Sequence, residues 1–111
     1  LLHGCLYLAN LNPRHKSEPG KIRPVLVIQT DYLNEIDHPS VWILPCTTRL
    51  AGESLLRTFL PKNIAGNADD CEIMIDQSRA IDCSRFKKKL APLPTIVLSE
   101  VKEKLRLLGD L

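Results

Sequence analysis

Ahead of its last segment, the chain is cut into short apolar runs, and the intervals between them leave little room for crossover helices. Cys5–Asn10, 23–30 and 40–46 are rich in Val, Ile, Leu and aromatic residues and read as strands. Arg57–Leu60, 71–77 and 79–83 are shorter runs of the same kind. Asn12-Pro13, Pro19-Gly20, His38-Pro39 and Gly66-Asn67 punctuate them with turn-forming residues. A parallel sheet needs a long, usually helical, connection between neighbouring strands. Such close spacing therefore predicts a small antiparallel barrel, mainly β.

The period changes near the end. Val97, Val101, Leu105 and Leu108 recur every three or four residues, with Glu100, Lys102, Lys104 and Arg106 on the other faces. This pattern predicts one amphipathic helix over 95–108, with Pro94 suited to its first turn and Gly109 to its C-terminal cap. At 111 residues the chain is expected to form a single domain spanning 1–111, with one core. Apolar residues at 44% and charged residues at 25% place it among globular proteins rather than disordered chains. A net charge of +2 means that any binding of nucleic acid must come from local clustering of cations. No apolar run approaches membrane-spanning length, and no charged-then-apolar leader is seen, so the expectation is a cytoplasmic protein with no membrane association. The sequence begins at Leu1 without methionine, so native residues are expected to precede it.

Cys5, Cys46, Cys71 and Cys83 have no zinc-knuckle spacing to one another or to the histidines. They are expected to be reduced structural thiols, and no metal or cofactor is expected.

Arg23 is the residue with the clearest chemistry. A polar loop delivers it to the mouth of the apolar run Val25-Leu26-Val27-Ile28, and Pro24 stiffens the backbone on its C-terminal side. An always-charged, forked donor there is what a phosphate-handling site requires, whereas an isolated Arg-Pro is more commonly a surface ion pair.

The residues around Arg23 decide between those readings. The run Ser17-Glu18-Pro19-Gly20-Lys21-Ile22-Arg23-Pro24-Val25-Leu26-Val27-Ile28-Gln29, with Asp31 and Asn34 in step, resembles the MazF/PemK (Kid) family of toxin ribonucleases. Gly4-Cys5-Leu6-Tyr7, Pro45-Cys46-Thr47-Thr48 and Asp76-Gln77-Ser78-Arg79-Ala80-Ile81-Asp82 are similar to three further family blocks in order and spacing. The resemblance covers nearly the whole chain. It implies an SH3-like antiparallel barrel with a C-terminal helix, assembled as a homodimer. It also implies a sequence-specific, metal-independent endoribonuclease that cuts single-stranded messenger RNA as the toxin of a toxin–antitoxin pair. The products would be a 2′,3′-cyclic phosphate and a 5′-hydroxyl, and the partner a MazE-like antitoxin with an acidic tail. The alternative is a non-catalytic toxin of the same fold that binds a protein target, as the gyrase-inhibiting CcdB toxins do.

On this resemblance Arg23 stabilises the pentacoordinate phosphorane, and Thr47 donates to phosphate or orients the 2′-hydroxyl. Thr48 is an equal claimant to that role, and a plain turn hydrogen bond is the bland reading of both. Glu18 is the candidate base, or else simply holds Arg23. Lys16, Lys21, Arg49, Thr48, Asp76 and Gln77 are the expected RNA contacts. Cys5 stands where the family has aspartate, Ser17 where Kid-like members have histidine, and Met74 where the Kid branch has arginine; the last two favour an Arg–Thr scheme. Arg79 and Asp82 are read as a structural ion pair, Trp42 as core, and Lys87-Lys88-Lys89 as a solvated turn or an extension of the phosphate groove.

Overall fold

The computed structural model describes residues 1–12 and 21–111. Its seven strands are β1 (Cys5–Asn10), β2 (Ile22–Val27), β3 (Ser40–Thr47), β4 (Arg57–Leu60), β5 (Cys71–Met74), β6 (Arg79–Asp82) and β7 (Phe86–Pro92). Two helices accompany them, α1 (Asp31–Glu35) and α2 (Thr95–Gly109). Every ladder is antiparallel, in the order β4-β5-β3-β2-β1-β7, with β6 pairing the start of β3 on the edge opposite β2. The sheet is barrel-like, but among the described residues its ladder does not close, because β4 and β7 remain edges.

Strands β1, β2 and β3 are buried on both faces, which explains their nearly unbroken apolar runs. Leu6, Leu26 and Leu44 form a row across them, facing Ile73, Ile75, Leu60 and helix α2. Tyr7, Val25, Val27 and Ile43 point the other way, into a second cluster with Ile81 and Phe86. Tyr7 and Phe86 meet edge to face with ring centroids 5.5 Å apart.

Several expectations need correction. The strand expected over 23–30 stops at Val27, because the Ile28 and Gln29 amides both turn onto the Trp42 carbonyl. The short α1, unforeseen, follows at once, with Thr30 Oγ1 capping the Tyr32 amide at 3.3 Å. Residues 75–77 and 83–85 are 3₁₀ turns rather than strand ends. Lys87-Lys88-Lys89 is not a turn: it lies in β7, an edge strand whose lysines protect it from further pairing. Trp42 is 41% exposed, not core; its ladder partner Ala80 is exposed too, so none of the described residues is layered over that stretch. Asp82 does not pair with Arg79 but accepts the Ser84 amide at 2.9 Å, capping the turn that follows β6. In α2 the left-handed cap falls on Asp110 (φ 55°) rather than Gly109, and Leu98 takes the packing role expected of the half-exposed Leu108. Asp is among the few non-glycine residues that visit that backbone region. Cys5, Cys46 and Cys71 are buried free thiols, and Cys83 is exposed.

The Gln29, Asp31 and Asn34 positions have an architectural explanation. Asn34 donates to the Gln29 carbonyl and to Asp31 Oδ1, and accepts from Gln29 Nε2, at 3.0–3.1 Å. Gln29 Oε1 accepts the Trp42 amide, and Asp31 accepts the His3 amide at 2.8 Å. The His3 amide, then the Asn34 side chain, hold the Asp31 carboxyl below its usual range. The network ties the N-terminus, the exit of β2 and β3 together. Asn34→Ala should cost about 2 kcal/mol, since it strips partners from part-buried groups, read as a lower denaturation midpoint with an unchanged m-value.

Candidate functional site

Ladder register assembles the site. Val25, Leu26 and Val27 pair with Pro45, Leu44 and Ile43, so continuing the ladder sets Arg23 across from Thr47. On its other side Arg23 pairs with Ala9 of β1, and Thr47 pairs with Glu72 of β5. Among its contacts, Arg23 Nη1 donates to the Cys46 carbonyl at 3.3 Å, which steadies the half-buried guanidinium at the strand mouth. Thr47 is buried, and its Oγ1 accepts the Arg49 amide at 3.1 Å. The bland turn role is therefore real, but the hydroxyl keeps its own proton to donate.

A cleft of about 530 Å³ opens here, lined by Lys21, Arg23, Thr47, Thr48 and Lys88, with Leu8, Pro24 and Leu90 among its apolar walls. Lys21 reaches it from a left-handed backbone (φ 64°) that is held when its amide donates to Asn12 Oδ1 at 2.7 Å. Lys88 comes from β7, two strands away from β2, in the cross-strand row Lys88–Leu8–Pro24. The lining includes the loop between β4 and β5, built around Asn67. The buried Asn67 amide donates to the Pro61 and Asp69 carbonyls at 2.9 and 2.8 Å and accepts the Ala65 amide at 3.0 Å. Gly66 lets this loop meet β7: its φ is +80°, and a Cβ there would lie 3.2 Å from Leu90 Cβ.

The floor holds a thiol pair. Cys46 is pushed up by its hydrogen bond to Cys71 and by burial, so it stays protonated. Cys71 is lowered as the acceptor of that bond.

The structure thus gathers Lys21, Arg23, Thr47 and Thr48. Arg49 is exposed in the turn just beyond, outside the cleft lining. Asp76 and Gln77 are not brought in: they sit in the 3₁₀ turn past the far end of β5, packed towards α2, roughly 14 Å along the chain path from Cys71. Lys16 and Glu18 lie outside the described residues.

Sequence reasoning missed Glu72. This carboxylate is 2% exposed, yet it accepts the Ala51 amide at 2.9 Å, the Gly52 amide at 3.0 Å and Arg57 Nη1 at 3.0 Å. It fastens the turn that carries Thr48 and Arg49 to the strand beside Thr47. Burial alone would raise the carboxyl, but the two amides and Arg57 together bring it below its ordinary range. The available signal was a lone acid inside the apolar run Cys71-Glu72-Ile73-Met74. Because the folded value is depressed, the stabilisation is present above the unfolded value, about 4, and is lost as pH falls below it through the folded value. Glu72→Ala should cost about 3–5 kcal/mol by stranding Arg57 and the loop amides. Glu72→Gln should flatten the acid limb of the stability–pH curve measured by thermal unfolding.

A family model described as the PemK-like, MazF-like toxin of type II toxin–antitoxin systems matches residues 3–109. Over 99 residues the chain is 34% identical to the endoribonuclease MazF of Staphylococcus saprophyticus, covering 88% of this chain and 82% of that protein. A crystal structure of MazF from Deinococcus radiodurans superposes with a TM-score of 0.83 at 29% identity, covering 98% of this chain and 96% of the other. A MazE–MazF crystal structure from the same organism gives a TM-score of 0.75 at 27% identity, covering 98% and 94%.

Proposed function

The chain belongs to the PemK-like, MazF-like toxin family of type II toxin–antitoxin systems, and we propose that it is an endoribonuclease acting at the Arg23 cleft on single-stranded RNA. The observation that carries this reading is that Arg23 and Thr47, on neighbouring strands, line one cleft together with Lys21 and Lys88. A pure protein-binding barrel of the CcdB kind has no need of that pair.

The reaction uses the substrate's own nucleophile. The 2′-hydroxyl attacks the adjacent phosphorus, its proton passes to a base, and the bond from phosphorus to O5′ breaks as that oxygen gains a proton. The products are a 2′,3′-cyclic phosphate and a 5′-hydroxyl. Arg23 offers two parallel donors to the non-bridging oxygens, where charge accumulates in the phosphorane, and such stabilisation is usually the largest catalytic term. The guanidinium stays charged throughout, so it acts through charge rather than proton transfer. The Thr47 and Thr48 hydroxyls are the neutral donors at hand, and Glu18 is the candidate base. Lys21 and Lys88 would hold the flanking phosphates. A single carboxylate among the described lining, surrounded by cations, suits a polyanion better than a divalent metal, so the reading is metal-independent.

The D. radiodurans MazF has been solved with MazE, and a MazE-like antitoxin with an acidic segment would find the same cationic cleft complementary. We take messenger RNA as the target, a homodimer as the assembly and the cytoplasm as the site of action. No described helix is long and apolar enough to cross a membrane.

Folded Arg23→Ala should lose activity worth about 3–4 kcal/mol, the scale of a single oxyanion donor, and Arg23→Lys should recover little because a point charge lacks the fork. Single-turnover cleavage of labelled RNA measures this, and near-parental rates in Arg23→Ala would remove Arg23 from the mechanism. Cleavage should persist in excess chelator and leave cyclic-phosphate ends; strict Mg²⁺ dependence would sink the metal-independent scheme.

A further inference from the structure

Asp69 is the one carboxylate among the described residues lining the cleft, where Lys21, Arg23 and Lys88 supply the positive charge. With Thr48 it also borders a second, shallower depression that runs on past Lys62 and Asp70, so the two residues form a saddle between neighbouring subsites. Among the described residues its carboxylate makes no ion pair and accepts no hydrogen bond. The adjacent Asp70 differs, since its Oδ1 is taken by the Lys62 amide at 2.7 Å. The place of Asp69 is fixed by its backbone, whose carbonyl accepts from the buried Asn67 amide at 2.8 Å. An uncommitted acid is therefore held rigidly in a groove that otherwise suits a polyanion.

A carboxylate there repels phosphate and attracts neutral donors, and unpaired RNA bases present such donors on their Watson–Crick edges. Two parallel acceptors fit one base better than the rest. Guanine offers N1–H and N2–H side by side. Cytosine and adenine offer one amino donor next to a ring-nitrogen acceptor, and uracil offers one N–H between two carbonyls. The mismatched acceptors would face carboxylate oxygen and be repelled. The apolar walls, Leu8, Pro24 and Leu90 among them, suit the faces of a base.

We propose that Asp69 is a specificity-determining residue that selects guanine at the nucleotide next to the scissile phosphate, by accepting its N1–H and N2–H. This inference rests on the endoribonuclease reading of the cleft and names part of its substrate.

The test maps cleavage of a randomised RNA pool by the parent protein, Asp69→Asn and Asp69→Ala, followed by kcat/KM on short RNAs bearing guanine or inosine at the preferred position. Inosine lacks the N2 amino group, so it probes the contact without any change to the protein. The parent should prefer guanine beside the cut and cleave the inosine substrate roughly 10-fold less well, within the usual discrimination of a bidentate base contact. Asp69→Asn, which keeps shape and the backbone carbonyl but offers one acceptor and one donor, should cleave both substrates alike and accept other bases there. A parental preference without guanine next to the cut would overturn the inference, as would a guanine preference undiminished in both variants. Failure of the parent to cleave any RNA would instead overturn the endoribonuclease reading, and the inference with it.

Discussion

Strands β2 and β3 pair so that Val25, Leu26 and Val27 lie against Pro45, Leu44 and Ile43, and every functional feature depends on that register. Both faces of these strands are buried, so a slip by one residue would exchange the Leu6–Leu26–Leu44 row for the Tyr7–Val25 row and ruin both clusters at once. The core thereby enforces a register that the site uses without contributing to it. The same ladder that matches leucine to leucine sets Arg23 across from Thr47 and brings the Cys46 carbonyl within reach of the guanidinium. Positional precision at the strand ends comes from apolar packing two to four residues away.

Charge is handled in two opposite ways in this part of the fold. Glu72 is buried and fully engaged by Arg57 and two loop amides, so it stabilises the turn beside Thr47 and is closed to solvent. Asp69, Lys21 and Lys88 line an open cleft and are available to a ligand. A chain with a net charge of only +2 can present a phosphate-binding surface in this way, because several of its acids are committed elsewhere: Glu72 to the loop, Asp31 to the His3 amide, Asp82 to a turn. The exposed edge strand β7 adds lysines that both discourage further pairing and supply one wall of the cleft.

The departures from the Kid pattern also acquire a physical setting. Met74 is buried opposite Arg57 in the β4–β5 ladder, at the end of β5 away from the cleft. Methionine there leaves the region of Asp76 without that cation, and Arg23 remains the arginine that lines the cleft with Thr47. Cys5 is likewise buried, among the apolar residues of β1, β2 and β3. Neither change disturbs the cleft gathered by Lys21, Arg23, Thr47 and Thr48.

Much of the protein was legible from residue order. Short apolar runs bounded by Pro, Gly and Asn already exclude a parallel sheet, and a change of period marks α2, because both signals depend on neighbours within one turn or one strand. Arg23 was legible for the same reason, as a charged fork before Pro24 and an apolar run. Strand β7 was not, because an edge strand faces solvent and three lysines carry no alternation. Trp42 was misjudged because burial depends on whether another layer covers a strand, and no local pattern records that. Asn67 looks ordinary in sequence and Glu72 is marked only as a lone acid in an apolar run, and their importance arises when loops fold back and present amides and carbonyls to them. What the linear chain determined was most of the elements and the cation that the site needs, since those follow from local chemistry. Which acids are spent on structure, which remain open in the cleft, and that Asp76 and Gln77 lie apart from it were decided only by the folded ladder, because those depend on distances between residues far apart in the chain.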